Sequence, residues 1–125
     1  MKITVDSSAV RAATGEKVWV VLTPIKADKC ADFEQFVQEI LLPAITRIAP
    51  NVHRHVRALY PTHQEADGSY TYAFLMDPWL ADASYDFATL FRQAYTEGET
   101  QTYLRIWEEV QAAPQRVYEF AQSSW

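Results

Sequence analysis

The chain has 125 residues, 49% of them hydrophobic and 14% aromatic, with three glycines and a formal net charge of −5, which fits a single domain able to bury roughly two-thirds of its unfolded surface. Its only cysteine, Cys30, excludes an internal disulfide and any multi-cysteine metal site. Residues 1–76 carry eight Lys/Arg against eight Asp/Glu and residues 77–125 three against eight, an acidic half that repels phosphate backbones and anionic lipid, so neither nucleic acid nor a membrane is an expected partner.

Residues 1–16 read as an N-terminal arm, with Lys2-Ile3-Thr4-Val5 patterned as a short edge strand and a small-residue linker running to Gly15. No apolar h-region follows Lys2, and the longest apolar run, Val18 to Leu22, is far short of a membrane span. The expected compartment is the cytoplasm. Residues 17–125 read as one domain. Lys17 to Lys26 is a first strand, with Val18, Val20 and Leu22 on one face and Trp19, Val21 and Thr23 on the other. Pro24 has no N–H, so pairing should end or bulge there.

Asp28 is the expected N-cap of an amphipathic helix in which Cys30, Phe33, Phe36, Val37, Ile40, Leu41 and Ala44 recur at spacings of three and four. Pro43 should kink that helix or restart it as a short turn, and Ala49-Pro50-Asn51 should stop it. Residues 52–60 form a second, polar strand suited to an edge. Asp67-Gly68 marks the turn into a third strand, making a hairpin. In that third strand Tyr70, Tyr72, Phe74 and Met76 alternate with Thr71, Ala73 and Leu75, and Asp77-Pro78-Trp79 closes it. Asp82 is the expected cap of a helix with the stripe Tyr85, Phe87, Ala88, Leu90, Phe91, Ala94 and Tyr95. Gly98 should break it, and a further helical segment containing Tyr103, Leu104, Ile106, Trp107 and Val110 ends at Ala113-Pro114. Residues 115–122 alternate as a last strand.

The order strand, helix, strand, strand, helices, strand is the split βαβ arrangement of an α+β, ferredoxin-like fold. Right-handed crossovers place its helices on one face of a four-stranded antiparallel sheet. Strands one and three are apolar on both faces, so the face without helices would expose more than the roughly 300–600 Å² patch a monomer usually carries. A homodimer with sheet packed on sheet is expected.

Lys17 to Lys26, followed by Asp32-Phe33-Glu34-Gln35-Phe36 and Ile40-Leu41-Leu42-Pro43-Ala44, together with Val56-Arg57-Ala58-Leu59-Tyr60 and the strand from Tyr70 to Met76, resembles the dimeric α/β-barrel superfamily, in particular antibiotic biosynthesis monooxygenase-like proteins. The resemblance spans roughly residues 17–122 and is one of pattern rather than of an invariant motif. It implies a homodimer with a pocket between each sheet and its own helices. It also implies, for some members, oxidation of aromatic or polyketide-like compounds without metal or bound cofactor. Haem-degrading members use an asparagine on the first strand, a tryptophan on the third and a histidine on the second helix. Here no asparagine lies between Lys17 and Lys26 and no histidine follows His63, leaving Trp79 alone to answer that set. No cofactor is expected.

Among candidate site residues, His53, His55 and Arg57 alternate along the second strand and could bind a carboxylate or phenolate, with His55 a possible general base near its unperturbed pKa of about 6.5. A solvated edge-strand face is the blander reading. As a metal site, His-x-His lacks an obvious third ligand. Tyr70 and Tyr72 could donate hydrogen bonds to a bound aromatic or pack in a dimer core. Trp79, Tyr72 and His55 are the candidate catalytic residues, and Tyr70, Arg57 and Trp19 the candidate substrate contacts. Cys30 reads as a small core residue. The sequence contains no GxSxG, HExxH or CxxC and no phosphate-cradling glycine loop.

Three functions follow. The first is a small-molecule-binding homodimer acting as a cofactor-independent monooxygenase-like enzyme on an aromatic or polyketide-like compound. The second is a binding or structural homodimer without catalysis. The third, well behind, is an RNA-binding module, because Gly68-Ser69-Tyr70-Thr71-Tyr72-Ala73-Phe74 echoes the aromatic third-strand motif of the RNA-recognition fold. Against it, Asp67 replaces that motif's basic residue and the C-terminal half is acidic.

Overall fold

A computed structural model of the chain describes residues 11–81, 83 and 86–125. The edge-strand reading of Lys2 to Val5 and the roles given to Asp82 and Tyr85 lie outside the described residues. Strands β1 (Lys17–Ile25), β2 (Val56–Leu59), β3 (Tyr70–Met76) and β4 (Arg116–Ala121) form one sheet of order β2-β3-β1-β4, with every neighbouring pair antiparallel. Helices α1 (Cys30–Phe36), α2 (Leu42–Ile48) and α3 (Pro50–His53) connect β1 to β2, while α4 (Phe87–Ala94) and α5 (Glu97–Val110) connect β3 to β4. This is the ferredoxin-like α+β fold, with the helices on one face of the sheet. No described helix is long and apolar enough to cross a membrane.

Parity decides what each strand buries. On β1 the odd positions Val21, Thr23 and Ile25 are buried, and on β3 the even positions Tyr72, Phe74 and Met76 are. Cross-strand partners share a face, and the register pairs Val21 with Phe74 and Thr23 with Tyr72, so these form the helix-facing side. Phe33 and Phe36 of α1 and Phe91 of α4 fill the space above it. On the opposite face Val18, Val20, Leu22, Ala73 and Leu75 are only half-buried, and Leu59, Tyr118 and Phe120 are exposed.

Several local expectations are corrected. The β1–β3 ladder runs through Pro24 to Ile25, whereas the β1–β4 ladder ends at Leu22. In an antiparallel strand a residue's N–H and C=O point the same way. The Pro24 carbonyl accepts the Ala112 N–H at 2.9 Å on the β4 side, so the missing donor falls where the ladder has already stopped. Asp28 does not cap α1. It sits in a tight turn, Ala27–Lys29, and Lys29 precedes the helix without a side-chain cap. The restart expected at Pro43 is seen: Val37–Leu41 widens into one π-helical turn, the Leu42 N–H reaches back to the Val37 carbonyl, and α2 begins at Leu42. Pro43 then lies in the first turn of α2, where a missing donor costs little.

The second strand starts at Val56, not at 52. Pro50 opens the short helix α3, which turns Val52 into the core at 7% exposure. His53 therefore lies on a helix and His55 in a turn, and the alternating His53, His55, Arg57 set does not form one strand face. Gly68 takes φ +91°, the left-handed conformation that a glycine supplies without strain, and the Asp67 carboxylate accepts the Ser69 N–H at 2.9 Å, forming the expected hairpin turn. Asp86 caps α4 by accepting the Thr89 N–H at 3.1 Å. Gly98 breaks nothing. Thr96 and Glu99 form a reciprocal capping box that starts α5 at Glu97, so the second helical region divides at Tyr95 and Thr96.

Candidate functional site

The helix-facing side of the sheet is not filled to its end. Between Phe74, Met76, Trp19 and Val21 of the sheet and Leu41, Leu42, Ile45, Phe87 and Leu90 of the helices lies a cavity of about 130 Å³. Val52, Val56, Ala58, Gln115 and Val117 complete its wall. It arises from side-chain size: β2 presents only Val56 and Ala58 to this side, and the bulky rings of the core concentrate around Phe33 and Phe36. Among the described residues of the lining, only Gln115 is polar. Its Nε2 donates to the Thr23 hydroxyl at 3.0 Å, and Thr23 is fully buried. Val117, 53% exposed on the edge strand β4, stands at the rim. A groove of about 310 Å³ between α1 and α5 is instead edged by Lys29, Asp32, Glu39 and Glu109, a charged surface feature.

Trp19 and Trp79 come together at one wall. Their rings stack at 5.0 Å with 17° between planes, and the Lys17 ammonium lies 5.2 Å from the centre of the Trp79 ring. Glu119 on β4 ties the group together, accepting the Trp19 Nε1–H at 3.3 Å and pairing with Lys17 at 3.1 Å. The hydrogen bonds from Lys17 and Trp19 hold its carboxyl below the ordinary glutamate range. Trp19 lines the cavity. Trp79 backs it, and its own buried Nε1–H has no hydrogen-bond partner among the described residues.

The tyrosines go elsewhere. Tyr72 faces the helices at 3% exposure, edge-on to Phe33 at 4.7 Å and to Tyr60 at 5.5 Å. Its hydroxyl donates to the Glu34 carboxylate at 2.7 Å. Burial first, then the bond to Glu34, push its pKa well above the ordinary tyrosine value. Tyr70 is half-buried one step further from the cavity. Facing the helices, then, did not make Tyr70 or Tyr72 part of the cavity wall, which Phe74 and Met76 supply. Arg57 lies across from Leu75, on the face without helices, and pairs with Asp77 at 3.2 Å. Asp77, nearly buried, also accepts the Ala12 N–H at 2.6 Å, anchoring the residues ahead of β1. His55 lies in the turn before β2, its Nδ1 buried without a hydrogen-bond partner among the described residues. Neither His55 nor Arg57 lines the cavity. Among the described residues no group of three or more His, Cys, Asp or Glu is placed to hold a metal ion.

Of the six candidate residues, the structure thus joins Trp19 and Trp79 and scatters Tyr70, Tyr72, His55 and Arg57. Gln115 was missed. A glutamine beside a strand carries no signal in the sequence, and only the fold brings it to Thr23, 92 positions earlier.

No protein-family model and no curated protein matches the chain. Solved structures similar to it include one from Caulobacter crescentus CB15, provisionally described as an antibiotic biosynthesis monooxygenase, at 11% identity and TM-score 0.47, covering 87% of this chain and 91% of that one. A second, from Bordetella bronchiseptica with the same provisional description, has 18% identity and TM-score 0.43 over 86% and 97%. A third, a dimeric ferredoxin-like protein of unknown function from Thermobifida fusca yx, has 18% identity and TM-score 0.47 over 89% and 95%.

Proposed function

We propose that this protein is a homodimer that binds a small hydrophobic molecule in the cavity between its sheet and its helices. The cavity wall carries the reading. Among the described residues it is apolar except for Gln115, and it opens at a rim where Val117 meets solvent. Binding sites for small molecules have this character, mostly apolar with a few placed polar groups. The homodimer rests on the uncovered sheet face, where Val20, Leu75, Tyr118 and Phe120 leave apolar surface for a second copy to cover.

Binding is favoured over acid–base catalysis because among the described residues no carboxylate, imidazole or thiol lines the cavity, and a general acid or base must lie within hydrogen-bond reach of the atom it serves. The stacked Trp19–Trp79 pair supports a second reading, a monooxygenase-like oxidation of an easily oxidised aromatic held against Trp19. Native mass spectrometry of the purified chain, alone and with small aromatics, tests both. A dimer mass carrying ligand, lost when Ala58→Phe fills the cavity, is the expected result. Ligand leaving with added oxygen selects the second reading. A monomer that takes up no ligand would sink the proposal.

A further inference from the structure

Resting on that binding reading, we infer that the ligand is a single-ring aromatic bearing one hydrogen-bonding group, a phenol in its simplest form, and that Gln115 selects it. Size sets the first limit. A cavity of about 130 Å³ is close to the roughly 150 Å³ of an engineered, apolar-walled cavity that stays dry and takes up benzene. A fused three-ring compound is too large for it.

Polarity sets the second limit. Among the described residues the wall has no charged one, so a carboxylate or an ammonium would be desolvated with nothing to pair it. The Gln115 amide is already committed on one side, because its Nε2 donates to the buried Thr23 hydroxyl at 3.0 Å. Among the described residues no protein donor reaches its Oε1. That oxygen is an acceptor and the second Nε2 hydrogen a donor, so the matching group on the ligand is a single hydrogen-bonding group, for which a hydroxyl serves in either sense. Gln115 stands just ahead of β4, near the rim formed by Val117, so the polar end of the ligand lies toward the mouth and the ring toward Phe74, Met76 and Leu41. Thr23 is a positioning residue: its hydroxyl, bonded to the amide at 3.0 Å, holds the Gln115 side chain in place.

The test is calorimetric titration of the full-length chain with phenol, with toluene (the same shape without a donor), and with a three-ring hydroxyanthracene. Wild type is expected to bind phenol more tightly than toluene and to show no heat with the three-ring compound. A net hydrogen bond corresponds to roughly three- to tenfold in affinity. Gln115→Leu should remove that preference while keeping toluene binding, and Thr23→Val should reduce the preference without changing the size limit. Binding of the three-ring compound at least as tightly as phenol, or a phenol-to-toluene ratio unchanged in both variants, overturns the inference and leaves the cavity as a binding site. Failure of all three compounds to bind wild type removes the binding reading and this inference with it.

Discussion

The indole rings of Trp19 and Trp79 lie 5.0 Å apart and nearly parallel, one lining the cavity and the other stacked behind it. Trp79 reaches this position because its backbone N–H bonds the Lys17 carbonyl at 2.8 Å, just past the end of the β1–β3 ladder. Full burial of an aromatic is worth about 3–5 kcal/mol against alanine. Trp79 is half-buried, so Trp79→Ala should cost roughly 2 kcal/mol, and Trp79→Phe, which keeps a stacking ring, less than half of that. Urea unfolding of the two variants checks this, and a Trp79→Ala midpoint equal to wild type would refute the stack as a support for the wall.

Tyr72 makes stability depend on alkaline pH. Its folded pKa is raised above the ordinary 10.0 by burial and by its bond to Glu34, so the folded state disfavours the phenolate. A raised pKa contributes stability that is fully present below the unfolded value and is lost as pH climbs past it. The loss should therefore begin near pH 10 and continue upward. Tyr72→Phe should cost about 1 kcal/mol at neutral pH for the lost hydrogen bond, and should flatten part of the decline above pH 10. Tyr95, also raised by burial, leaves a residual slope. Urea midpoints from pH 7 to pH 11 separate the two effects. An identical alkaline slope in Tyr72→Phe rules out this assignment.

The face without helices provides a test of assembly. Val20 sits between Leu75 on β3 and Tyr118 on β4, and all three point away from the helices. Val20→Lys places a charge in the middle of that patch and leaves the helix-facing core untouched. Sedimentation velocity should show a dimer for wild type and a monomer for the variant, with unchanged circular dichroism. A Val20→Lys dimer as tight as wild type would mean that the sheets do not meet there.

The capping box of α5 is a local test of stability. Thr96 and Glu99 satisfy each other's backbone N–H groups at 3.2 and 3.0 Å. Thr96→Ala should cost about 1 kcal/mol, seen as a lower thermal midpoint, while Thr96→Ser should restore most of it.

Much of this fold was legible in the chain because period-two and period-3.6 patterns are local. Tyr70 to Met76, the Asp67-Gly68 turn and the helical stripe of Phe33, Phe36 and Val37 each stand where their spacing puts them. Errors fell at boundaries, where two local rules compete. Pro50 stops one helix and also opens another, so α3 took Val52 and His53 from the strand assigned to them. Thr96 to Glu99 is a readable capping box, but Gly98 within it looked like a breaker.

By itself, then, the sequence determined the order of elements, the alternation that divides each strand between two faces, and the apolar excess on the face without helices. It could not say which face each parity took, since that depends on the register between strands, and register decides that Tyr72 meets Glu34 rather than the cavity. Nor could it show that Gln115 and Thr23 meet, because a hydrogen bond across 92 residues exists only once β1 and the segment before β4 are side by side. The chain patterns its surfaces locally, and the site is assembled by contacts between residues far apart in it.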